Sequence, residues 1–141
     1  MRDSERAKAL LTEGSYSCVL CRGEQVYTSM LRGVLPLVRF LSEGTDLRDF
    51  SAADKIVGKA AAMLFVLARV KEVYAPVMSE TATEVFRLYG ISFECGLRVQ
   101  TIVNRSGTGP CPMETAVYGI SDPQVAFQAI KVTLEKLSRS H

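Results

Sequence analysis

A chain of 141 residues, 48% hydrophobic and 23% charged, has the size and composition of one compact domain. Folding at this length buries roughly 68% of the unfolded surface, enough for a core without disulfide or metal staples. The net charge of +2 is scattered without a basic run or an aromatic-basic interleave, which argues against nucleic acid as a partner.

Ser4 to Glu13 reads as a first helix, with Ala7, Leu10 and Leu11 on one face and Gly14 just past its end. Tyr16–Cys21 and Glu24–Ser29 are short apolar-rich runs around Arg22-Gly23, a hairpin signal. Leu35–Ser42 follows as a helix with Pro36 in its first turn and Gly44 beyond it. Lys71–Ala75 reads as a strand closed by Pro76, and Ser79 as the cap of a helix running to Tyr89. Ile91, Phe93 and Cys95 alternate as a strand that Gly96 bulges or ends before Leu97–Val103. After the loop NRSGTGPCP and a short helical stretch at Met113–Tyr118, a last helix starts at Asp122-Pro123 and carries Phe127, Ile130, Leu134 and Leu137.

The longest apolar run, Ala60 to Ala68, is rich in helix formers and predicts a buried central helix. Ser51 and Asp54 have the spacing of a cap, so Asp54, Lys55 and Lys59 are expected in the first turns, with Lys55 and Lys59 on one face. The run is too short to span a bilayer about 30 Å thick. No apolar signal segment follows the charged Met1–Lys8 stretch, so the expectation is a cytoplasmic protein with four reduced cysteines and no membrane partner. A hairpin followed by alternating helices and strands favours a single α/β domain over residues 1–141, a three-layer α/β/α sandwich with a mixed sheet.

This order, with DKIVGKAAA and the later GTGPCPMETAV, resembles a small prokaryotic family of uncharacterised domains with the cytidine-deaminase-like fold. The resemblance implies a pocket where the N-termini of the two sheet-packed helices meet beside the hairpin, and a homodimer, but no known activity. Catalytic deaminases of that fold place His or Cys followed by Ala-Glu at one helix start and Pro-Cys-x-x-Cys at the next, to hold zinc and shuttle protons. Here those places read Val57-Gly58-Lys59-Ala60 and Pro76-Val77-Met78-Ser79-Glu80-Thr81, and the one histidine is His141. The resemblance therefore implies a zinc-free member, with no metal ligands and no cofactor expected.

At the mouth of the central helix, Lys59 reads as a binder of an anion or carbonyl, with Asp54, Lys55 and Gly58 as ligand-binding neighbours. A solvated first turn with a packing glycine is the competing reading. Cys111, just before Pro112, sits at a helix start where the dipole favours negative charge, with Glu114 in the same turn as cap or base. It either attacks a substrate, lines a site, or simply packs in a tight loop. Glu80 follows the Ser79 cap and faces the implied pocket, or serves only the helix dipole. Cys18 and Cys21 spell C-x-x-C, but three residues apart on a strand they face opposite sides. Gly58-Lys59 lacks the preceding glycine and following hydroxyl of a phosphate loop. These residues favour a small-molecule-binding domain and leave open a metal-independent reaction through Lys59 and Cys111. The alternatives are a non-catalytic regulatory or assembly module and, last, a zinc hydrolase.

Overall fold

The computed structural model describes residues 1–139. Helix α1 (Asp3–Glu13) precedes a hairpin of β1 (Cys18–Arg22) and β2 (Gln25–Ser29), joined across Gly23 in the left-handed conformation (φ 58°). That turn closes a two-residue connection between antiparallel partners, as the Arg22-Gly23 signal implied. After α2 (Leu35–Ser42), the sheet continues with β3 (Ser51–Asp54) and β4 (Ile56–Val57). Then come α3 (Lys59–Ala68), β5 (Glu72–Ser79), α4 (Glu80–Tyr89), β6 (Ser92–Val99), α5 (Pro112–Ala116) and α6 (Pro123–Arg139).

The sheet is mixed and six-stranded. β1 is antiparallel to β2 and β3, while β3, β4 and β6 all run parallel to β5. β6 pairs with Glu72–Ser79 along one side of β5, so β3 at Glu72–Tyr74 and β4 at Val77–Met78 share the other side. They act as one strand broken at Lys55.

Two expectations fail here for related reasons. Ser51–Asp54 does not cap the central helix, because its backbone is paired with β1 on one side and β5 on the other and all four residues are buried. A central strand covered on both faces shows no alternation, so its S-x-x-D spacing imitates a cap. The helix begins instead at Lys59 behind an extended Gly58, and Lys55 and Lys59 share no helix face. Pro76 likewise does not close β5. By the register it falls between the β3 and β4 pairings on one side and is skipped by the β6 pairing on the other, so its missing amide proton costs no ladder bond.

On its other side Pro76 faces Gly96, and β6 passes through Gly96 without ending. A Cβ on Gly96 would lie 2.9 Å from the Pro76 carbonyl oxygen, so the glycine permits a close backbone approach. Gly96→Ala is expected to cost about 1–3 kcal/mol in chemical denaturation through overpacking against rigid backbone. An unchanged midpoint would show that β6 can move away freely.

Helices cover both faces of the sheet. Ala7 and Leu11 of α1 pack on Val19, Cys21 and Ala53. Cys18, Leu20, Ala52, Val73 and Ala75 face the other way, into the main core with α3, α4 and α6. Cys18 and Cys21 are thus buried on opposite faces, as their spacing requires. In α3, seven residues including Leu64 and Phe65 are buried, and each large side chain contributes about 1.5–3 kcal/mol. The helix is therefore the pillar its composition predicted. It ends at Arg69 in the left-handed conformation (φ 61°), whose carbonyl accepts the Asp49 amide at 2.9 Å.

Candidate functional site

Because β4 and β5 run parallel with Val57 opposite Met78, the next residues, Gly58 and Ser79, stand side by side at the carboxyl ends of the two strands. Each starts a helix, so the N-termini of α3 and α4 open at one edge, outside the carboxyl ends of the parallel strands. The two mouths are finished differently. At α4, the Ser79 hydroxyl accepts the Ala82 amide at 3.1 Å, an ordinary cap.

At α3 the preceding residue is Gly58, which has no side chain to offer, and the free amides are satisfied from elsewhere. Glu114 of α5 lays its carboxylate across the helix start. Its Oε1 accepts Lys59 N at 2.7 Å and its Oε2 accepts Ala60 N at 2.8 Å. A bidentate, charge-assisted contact of this kind combines hydrogen bonding with the favourable end of the helix dipole. Gly58 must be glycine for it to exist, since a Cβ there would lie 2.4 Å from Glu114 Oε1 and 2.9 Å from Ile102 Cγ1. The Lys59 ammonium donates to the Val117 carbonyl at 3.0 Å, tying α3 to the end of the same short helix.

Cys111 is the residue before α5. Its amide donates to Ile102 O at 3.0 Å, its carbonyl accepts the Thr115 amide at 3.1 Å, and its half-buried thiol packs against the main core. The loop that carries Ile102 is folded back on itself by a bridge between Val103 and Pro110. The structure thus brings Gly58, Lys59 and Glu114 into direct contact, with Cys111 at the head of the helix that supplies Glu114.

The other sequence candidates lie around this junction without joining it. Lys55 is exposed at the break between β3 and β4. Glu80 is exposed beside the α4 mouth, 3.9 Å from Arg98 Nε at the end of β6. Asp54 is 5% exposed at the end of β3, opposite Cys18 in register. Burial pushes its carboxyl up to about 8, partly offset by the Lys55 and Ile56 amides that hydrogen-bond it. Burial also pushes the Cys18 thiol well up, and the neighbouring Asp54 adds to it. Asp54 therefore holds the bend where β3 passes into β4, rather than sitting in a helical turn with Lys59.

Val117, Ile102 and Arg98 carry no signal in the sequence, and Cys18 reads there only as half of a C-x-x-C pair. No spacing rule links α3 to a carboxylate 55 residues away. Among the described residues, no group of three or more His, Cys, Asp or Glu side chains could hold a metal ion, and His141 lies outside them. No helix of the described residues is long and apolar enough to cross a membrane.

Comparison with known proteins fits this architecture. No curated protein matches the chain at a significant level. The chain is similar to the crystal structure of a DUF1893 family protein (TM1506) from Thermotoga maritima, with a TM-score of 0.80 and 25% sequence identity, over 96% of this chain and 91% of that one. Residues 6–134 match the family model described as a domain of unknown function, DUF1893. With nearly its whole length matched, the chain belongs to the DUF1893 family.

Proposed function

We propose that this chain is a zinc-free domain of the cytidine-deaminase-like fold that binds a small anionic or carbonyl-bearing molecule at the mouth of α3. The observation that carries the reading is the seat of the Glu114 carboxylate on the Lys59 and Ala60 amides, because a planar anion is already recognised at that spot. A ligand anion takes the same seat when Glu114 swings aside. Lys59 supplies positive charge, Asp54 orients the ligand or exchanges a proton, and Lys55, Gly58 and Glu80 border the site. Cys111 lines it or attacks a bound carbonyl.

The deaminase-like fold is supported by the antiparallel hairpin feeding parallel strands with helices on both faces. The zinc-hydrolase alternative draws no support from Val57, Gly58, Met78 and Thr81, which supply no thiolate or imidazole. Four free cysteines suit a reducing, cytoplasmic setting, and a homodimer, carried by resemblance alone, is checked by light scattering.

The test is anion binding to Glu114→Ala, with Glu114→Gln as a milder variant. Acetate and phosphate are expected to raise the melting temperature of either variant saturably, more than they raise the wild type. Adding Lys59→Ala should abolish the response. If neither variant responds, the carboxylate is a structural cap only. That outcome favours a non-catalytic regulatory or assembly module, the second reading, to which the engagement of the Lys59 amide by Glu114 and of its ammonium by the Val117 carbonyl already points.

A further inference from the structure

The opposite end of the sheet carries a separate cleft. Helix α1 covers β1, β3 and the start of β5 but not β6 on the same face, which leaves a cavity of about 270 Å³ between the helix and the β5–β6 edge. Its floor includes the Tyr74 ring, and its charged walls are Arg2 just before α1, Glu5 and Lys8 from α1, and Glu72 and Glu94 from the strands. At the open end, an adjoining recess adds Asp3 and Lys71.

The pairing of these charges is uneven. Arg2 is held by Glu5 at 3.0 Å, and Lys8 donates to Glu94. Asp3 belongs to Arg6 at 3.5 Å. Glu72 is different. It accepts the hydroxyl of the fully buried Ser51, which orients one carboxylate oxygen, while its ion-pair partner Lys71 stands at 4.0 Å and is half exposed. The chain also shows how a cation sits in the cleft, since the Lys8 ammonium lies 4.5 Å from the centroid of the Tyr74 ring while bound to Glu94. Ring face plus carboxylate is the arrangement that recognises ammonium groups.

We propose that this cleft is a binding site for a small organic cation bearing a primary ammonium, with Glu72 as its counter-ion and the Tyr74 ring as its platform. The incoming ammonium takes the place beside Glu72 and shares the ring and Glu94 with Lys8, so Lys8 acts as an internal competitor. The site lies far along the strands from α3 and prefers the opposite charge, so it stands independently of the anion seat.

Titration of the full chain with cadaverine at low salt, followed by calorimetry or amide NMR shifts, tests this. Saturable binding is expected for cadaverine and not for its neutral analogue 1,5-pentanediol. Glu72→Gln, which keeps an acceptor for Ser51, should weaken binding at least tenfold, and Tyr74→Leu several-fold. Lys8→Met should tighten it several-fold, whereas Lys131→Met, which removes the same charge outside the cleft, should not. Glu114→Gln should bind cadaverine as the wild type does. The proposal is overturned if wild type and Lys8→Met both fail to saturate, if Glu72→Gln binds as well as wild type, or if Lys8→Met binds more weakly.

Discussion

Asp54→Asn is expected to stabilise the protein at neutral pH. In the folded chain burial holds the carboxyl at about 8, against 3.8 when unexposed to such an environment. Between these values the unfolded chain has released the proton and the folded chain has kept it, so the unfolded state binds fewer protons and stability falls as pH rises. The loss begins above pH 4 and is complete above pH 8. At pH 7, each unit of the difference corresponds to about 1.4 kcal/mol, which puts the penalty on the order of 2–4 kcal/mol.

Asparagine removes the titration and keeps an oxygen for the Lys55 and Ile56 amides. Urea denaturation from pH 5 to 8 should therefore show a declining stability for the wild type and a much flatter profile for Asp54→Asn, with the two converging toward acid pH. Parallel profiles would mean that Asp54 is hydrated in the folded state. If the residue exchanges a proton with a ligand, the stabilised variant should lose ligand-dependent behaviour at the same time, a common cost of relieving a strained polar site.

The second large effect is expected at the contact between α3 and α5. Gly58→Ala places a methyl group where the Glu114 carboxylate lies, so the carboxylate must leave and two amides at the start of a buried helix lose their acceptor. Hydrogen bonds to a charged group are worth about 1.5–3 kcal/mol each, and the combined loss should be near 3 kcal/mol because water reaches part of the exposed helix end. Glu114→Ala should cost a similar amount for the same reason. The double variant should fall well short of the sum, since both changes remove one interaction. Additive losses would show that Gly58→Ala acts through Ile102 instead, the other side chain within reach.

Both predictions involve residues that sequence reasoning singled out, yet each has a different physical setting from the one expected. Gly58 and Lys59 do mark the mouth of the central helix. The place expected for a ligand at that mouth is filled, in the folded chain, by Glu114, which the sequence alone assigns to a separate helix start beside Cys111. S-x-x-D is a local cap pattern that predicts Asp54 in the first helical turn; pairing with β1 and β5 overrides that preference. Pro76 misled in the same manner. Its inability to donate ends a strand only where a partner is waiting for the amide, and Pro76 falls at a gap in the pairing on both sides of β5.

What the sequence determined by itself was everything controlled by neighbours within a few residues. The hairpin turn at Gly23, the Leu35–Ser42 helix, the Ser79 cap with Gly90 after Tyr89, and the all-apolar pillar from Ala60 to Ala68 are readable because caps, turns and periodicity act over one or two turns of chain. The tertiary structure alone decided which strands are central, how β3 and β4 share one side of β5, and which carboxylate closes α3. Those outcomes depend on backbone partners and charges brought together from distant segments, and no short-range preference encodes which distant group arrives.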